Sequence, residues 1–226
     1  PIFIVNRMNT FFKSSIGKKL SMAISAIFLM IFLLQHFAIN ATSIISADLF
    51  NYLSHFMGTN FLVQFIAQPI LIIGVIFHFV MGITLEIQNR KAIGYSYTKY
   101  TGSANSSWFS RNMILSGLVI LAFMLLHFID FWIPEMNYKY IEFLPSDPDR
   151  YYTELIHKFK NPYRVIAYCI SFILLSLHLI HGFTSSMRSV GTKKDIVSSM
   201  RVIGYLYSIC IPAGFCFIAV FHYFNH

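Results

Sequence analysis

Between Arg164 and Arg188 the chain runs for 23 residues without Asp, Glu, Lys or Arg. About 20 helical residues cover the roughly 30 Å of a bilayer's hydrocarbon core, so a segment this long and this uncharged has few other fates. Inside it lies Phe172-Ile-Leu-Leu-Ser-Leu-His178-Leu-Ile-His181-Gly182, which puts two imidazoles where lipid is expected. A titratable ring inside such a span is costly to bury and marks a functional site by default.

Four more stretches have the same apolar character, and helices are expected at about 20–40, 61–84, 112–132, 165–187 and 202–223. Only 12% of the residues are charged, against about 25% in soluble domains. The expected fold is therefore all-α: one membrane domain over 1–226, with five transmembrane helices in a bundle. The first span is long and four others follow it, so it reads as a helix and not as a removable leader. Cys169, Cys210 and Cys216 fall inside apolar spans without CxxC spacing and read as small packing residues.

The formal charge of +8 does not point to nucleic acid, because the basic residues alternate with the loops. The N-terminal arm has Arg7, Lys13, Lys18 and Lys19, and reads as a basic interfacial segment. The link between helices two and three has Arg90, Lys91, Lys99 and Arg111, and the last link has Arg188, Lys193, Lys194 and Arg201. The connection at about 41–60 has no Lys or Arg. The long loop to about 162 dilutes four basic residues with six acids, Asp130 among them, and residues 150–159 there read as a short helix. This bias places the N-terminus in the cytoplasm and the C-terminus outside.

His36, His78, His127 and His178 each lie in a different one of the first four helices. At a rise of 1.5 Å per residue, His36 is about 24 Å and His127 about 23 Å from the inner end of its helix, whereas His78 and His178 are about 12 and 14 Å from theirs. Two imidazoles thus share an outer level and two an inner one. That arrangement suits two b-type haems about 12 Å apart in depth, each iron held by one imidazole on either face. Iron ligation also gives a buried neutral imidazole its partner. Gly82 and Gly182 follow His78 and His178 by one turn and leave space for a macrocycle. His181 is the alternative to His178, since it lies on nearly the same face. His55 and His157 fall in outer loops, and His222 and His226 at the outer end of helix five, where surface chemistry is expected.

With these features the chain resembles the membrane cytochrome b subunit of bacterial succinate:quinone oxidoreductases, in its five-helix, two-haem group (type B). The residues that carry the resemblance are Ser14-Ser15-Ile16-Gly17-Lys18-Lys19 before helix one, the histidine on each of helices one to four, and Ser110-Arg111-Asn112 before helix three. The His178-Leu-Ile-His181-Gly182 stretch continuing to Gly191 adds to it. The resemblance implies that His36 and His127 bind a distal haem and His78 and His178 a proximal one. It also implies a flavoprotein that oxidises succinate and an iron–sulfur subunit on the cytoplasmic face of a bacterial inner membrane. Electrons then reach a quinone, often menaquinone in this group, and the anchor subunit performs no dehydrogenation itself.

Ser21, Arg90 and Arg188 stand where haem propionates need hydroxyl or cationic partners. Some relatives use a glutamate near the outer end of helix two at the quinol site, and this chain has none there. Asp48, Asn51, Gln64 and Gln68 are the nearby polar substitutes. Two other readings stay open on the residues alone: the di-haem b subunit of another respiratory enzyme, and a haem-free transporter with a histidine relay, although no convincing repeat is visible.

Overall fold

A computed structural model describes residues 14–92 and 113–225. Arg7, Lys13, Lys99, the Ser110-Arg111-Asn112 stretch and His226 lie outside the described residues. Within them the chain is helical, without β-strand. The helices are α1 (Ser15–Ile45), α2 (Ala47–Thr59), α3 (Gln68–Ala92), α4 (Met113–His127), α5 (Ile133–Tyr140), α6 (Arg150–Phe159), α7 (Pro162–Ser189) and α8 (Lys194–Asn225). Five segments are long and apolar enough to cross a membrane: Ser15–Ile45, Val63–Lys91, Met113–Tyr140, Pro162–Ser189 and Asp195–Asn225.

Each span runs beyond the expected C-terminal end, and polar side chains cap the starts of α1 and α7. Ser14 Oγ accepts from the Gly17 N–H at 3.0 Å and starts α1. Asn161 Oδ1 accepts from Tyr163 and Arg164 at 3.0 and 3.3 Å, with Pro162 in the first turn of α7, where a missing N–H costs nothing. Gly191, at φ 85°, turns the chain out of α7 in a conformation that glycine adopts without strain.

Two expectations are corrected. The connection at 41–60 is largely α2: Ser46 is extended, which ends α1, and its Oγ accepts from Leu49 N–H at 3.2 Å to begin the next helix. Asp130 is not in a loop. Helix three continues through a π-helical turn, Phe128–Trp132, into α5. A second π turn, Val63–Ala67, leads into α3. Each π turn precedes a proline, Pro69 or Pro134, and the carbonyl that the proline cannot pair with, Phe65 or Asp130, lies inside the turn. The short helix expected at 150–159 is present as α6.

The bundle packs unevenly. α7 and α8 lie closely along each other and against α1, whereas α3 and α4 hardly touch. The core lies towards one end and is built from Phe50, Tyr168, Phe172, Phe215 and Ile218 with the buried face of α6. Large apolar side chains such as Ile31, Ile73, Leu118, Ile170 and Leu206 point outwards, the reverse of a soluble bundle. Cys169, Cys210 and Cys216 are free thiols, as their positions suggested.

At the end that carries the core, α2, α5 and α6 form a polar cap. Arg150, its side chain 9% exposed, pairs with Glu135 and, at 2.7 Å, with Glu154. Its guanidinium lies 4.0 Å from the Tyr138 ring centre and 4.5 Å from that of Tyr151. Burial works against the Arg150 charge, but hydrogen bonds to Glu154 and Glu135 more than offset it and raise its pKa. Burial, with the Glu135 charge, pushes the Tyr151 hydroxyl up to about 12. The other end gathers Lys18, Lys19, Arg90, Lys91, Arg188, Lys193 and Arg201, with Lys18 Nζ donating to Gln88 at 3.1 Å.

Glycine brings α8 within reach of its neighbours: a Cβ on Gly214 would stand 2.4 Å from the Phe37 ring. Gly214→Val is expected to lower stability by about 1–3 kcal/mol through overpacking. The check is the thermal midpoint of the protein in detergent, and an unchanged midpoint would show that α1 and α8 need no such approach.

Candidate functional site

The four span histidines meet as two pairs. His36 on α1 and His127 on α4 have ring centroids 5.7 Å apart at an interplanar angle of 85°. His78 on α3 and His178 on α7 lie 6.5 Å apart at 66°. No helix contributes to both pairs. With nitrogen–metal bonds of about 2 Å, imidazoles on opposite faces of one metal ion have centroids roughly 6 Å apart. Both separations fit that bridge, so each pair would have room to hold a haem iron between its imidazoles.

The pairs differ in surroundings. At the first pair, His36 stacks on Phe32 at 5.6 Å and lies 5.7 Å from Phe215, while His127 lies between Phe123 and Phe131 at 5.9 and 5.2 Å. Asn40 Nδ2 donates to the His36 carbonyl at 2.8 Å and stands 3.5 Å from both ring nitrogens. His127 Nδ1 is buried without a hydrogen bond. At the second pair both Nδ1 atoms are engaged by serine hydroxyls: Ser25 with His78 at 3.0 Å and Ser116 with His178 at 3.1 Å.

His181, the alternative to His178, is half-buried one turn towards the basic end. The propionate candidates are found at that same end: Ser21 half-buried, Arg188 exposed, and Arg90 exposed and paired with Glu86 at 2.6 Å. The quinone candidates are dispersed in the cap. Asp48 is exposed in the first turn of α2, where a carboxylate suits the helix dipole. Asn51 is buried and used at both ends of its amide, donating to Asp149 O at 3.0 Å and accepting from Tyr152 N–H at 2.7 Å. Gln64 donates to Gly58 O and accepts from the Tyr140 hydroxyl at 3.4 Å, and Gln68 is half-exposed at the start of α3.

Three polar groups escaped the sequence reading. His222 is 0% exposed, not a surface residue, because Ser43 on α1 meets its Nε2 at 2.9 Å. His55 sits on α2, half-buried against Tyr151, and His157 is exposed. Asp130 is the largest omission. Its side chain is 1% exposed, with Tyr168 OH donating to Oδ2 at 2.9 Å and the Arg164 guanidinium 2.8 Å from Oδ1. The Tyr168 ring also lies 6.4 Å from that of His127, so the carboxylate belongs to the surroundings of the first pair. Pro134 was the available signal, since a proline four residues on widens the helix at Asp130 and does not end it.

Comparisons with protein-family models, with curated proteins and with solved structures found no match to this chain.

The Asp130–Arg164 pair makes an asymmetric prediction. Arg164 is 30% exposed and can turn to water when its partner is lost, whereas Asp130 cannot. Arg164→Ala is expected to be the more damaging change, at about 3–5 kcal/mol for a stranded buried charge. Asp130→Ala is expected to be milder, and the double variant less harmful than the sum. Unfolding midpoints for the three variants check it; strict additivity would deny the coupling.

Proposed function

We propose that the chain is the membrane-anchor cytochrome b subunit of a succinate:quinone oxidoreductase, with one haem b held by His36 and His127 and another by His78 and His178. Bound there, each haem supplies a one-electron carrier between a soluble iron–sulfur partner and a quinone. The observation that carries this reading is the meeting of four imidazoles as two pairs, 5.7 and 6.5 Å apart, at two levels of a five-span bundle. Transporter-type histidine relays need neither the pairing nor the shared levels.

The residues divide the work. The imidazoles hold iron and, as neutral ligands, remain buried without a charge to solvate. Ser21, Arg90 and Arg188 stand at the basic end, where carboxylates of the inner group need partners, and Arg90 must release Glu86 to serve. Phe32, Phe123, Phe131 and Phe215 keep water from the outer pair. His178 is preferred to His181 because its ring faces His78 and its Nδ1 is already engaged.

Orientation follows from charge. The end that gathers Lys18, Lys19, Arg90, Lys91, Arg188, Lys193 and Arg201 belongs in the cytoplasm of a bacterium, with the iron–sulfur and flavoprotein subunits docked there. The C-terminus then lies outside. Of the quinone candidates, Asn51 and Gln64 are committed to the cap, which leaves Asp48 and Gln68 for a quinone, with menaquinone as the expected species.

A reduced-minus-oxidised visible spectrum with haem quantitation tests the proposal. Two low-spin b haems per chain are expected, and His36→Ala or His127→Ala is expected to leave one. A wild-type chain without haem, or a variant that keeps both, would overturn it.

A further inference from the structure

The two pairs are built from one repeated pattern. In α1, Met22, Ser25 and His36 stand in the same order and spacing as Met113, Ser116 and His127 in α4. In each helix Ser follows Met by three positions and His follows Ser by eleven. The facing helices repeat as well, with His78 and Gly82 in α3 and His178 and Gly182 in α7.

The three-dimensional contacts repeat with the spacing. Ser25 Oγ donates to Met22 O at 2.8 Å and meets His78 Nδ1; Ser116 Oγ donates to Met113 O at 2.9 Å and meets His178 Nδ1. A Cβ on Gly82 would stand 3.5 Å from the Met22 methyl, and one on Gly182 would stand 3.7 Å from the Met113 methyl. Helices α1 and α4 run one way along the bundle and α3 and α7 return, so each hairpin pairs a serine on its first helix with a histidine on its second.

We infer that Ser25 and Ser116 are equivalent positioning residues that act through His78 and His178 on the metal between them, an inference that rests on the haem reading above. A serine hydroxyl has one proton. With that proton on the methionine carbonyl, the oxygen accepts from Nδ1–H, which fixes the tautomer and leaves the Nε2 lone pair for iron. Nδ1–H donation makes the imidazole a stronger donor and favours the oxidised metal. At the outer pair the described residues place no serine hydroxyl on either Nδ1: His127 Nδ1 is without a hydrogen bond, and His36 has the Asn40 amide nitrogen, a donor, 3.5 Å away. The control therefore acts on one of the two sites.

The test is a potentiometric titration of the assembled membrane complex, with electron paramagnetic resonance of the oxidised haems. Ser25→Ala and Ser116→Ala are each expected to move the inner midpoint potential to more positive values by similar amounts, and to leave the outer one in place. The double variant is expected to shift by about twice either single. Ser25→Thr and Ser116→Thr, which keep the hydroxyl, are expected to restore the wild-type value. Ser208→Ala, which removes another buried hydroxyl, is expected to change neither potential. If both haems are present and neither alanine variant moves the inner potential, or the outer one moves instead, the inference fails while the haem reading stands. A wild-type complex without haem in this chain overturns both.

Discussion

An imidazole in an apolar bundle needs a partner for each nitrogen, and that need organises the molecule. Helices satisfy the backbone internally wherever water is absent, so the histidine rings are the groups left to provide for. They are provided for in pairs, each ring drawn from a different helix. A lone histidine has no reason to face another at a shared level. Two such meetings in one bundle are the geometric basis of the proposed haem sites.

The uneven packing serves the same end. α7 and α8 form a tight pair that also packs on α1, with Gly204 and Gly214 at the close approaches to Phe183 and Phe37. α3 and α4 hardly touch each other, and each packs instead on one helix of that group, α3 on α1 and α4 on α7. The cap fixes the helix ends at one side: Asn51 ties α2 to the start of α6, Ser43 ties α1 to His222, and Asp130 ties helix three to α7 through Tyr168 and Arg164. A slip of one turn in any span would move its histidine by about 5.4 Å and break a pair. The polar ties at the cap resist that slip more than apolar packing can, because hydrogen bonds are directional.

What the sequence disclosed was whatever depends on local periodicity. Span existence, the levels of His36, His78, His127 and His178, and the helix at 150–159 all follow from counting residues at a fixed rise. What it concealed depends on partners far along the chain. Asp130 looks like the end of a helix until Tyr168 and Arg164, more than thirty residues later, are seen to neutralise it. Asn51 looks available for a ligand until the backbone of α6 occupies both ends of its amide. His222 looks like a terminal surface residue, and only the fold brings Ser43 against it. Each error treated a polar side chain as free because its partner was distant in sequence.

The repeat in α1 and α4 was legible but lies below ordinary notice, since three residues scattered over fifteen positions are a weak signal. Its meaning is geometric. Eleven residues make close to three whole turns, so Ser25 and His36 lie on one face of α1, and Ser116 and His127 on one face of α4. The serine addresses the inner site and the histidine belongs to the outer one. Within each of these helices the serine and histidine levels stand about 16 Å apart by the helical rise. Loops play no part in it. The connection from His36 to His78 and the longer one from His127 to His178 can differ in length and structure, as they do, without altering how far apart the two sites stand. The same serine-to-histidine spacing, built into two rigid helices, keeps the two histidine pairs in register while the surface segments remain free to meet other requirements.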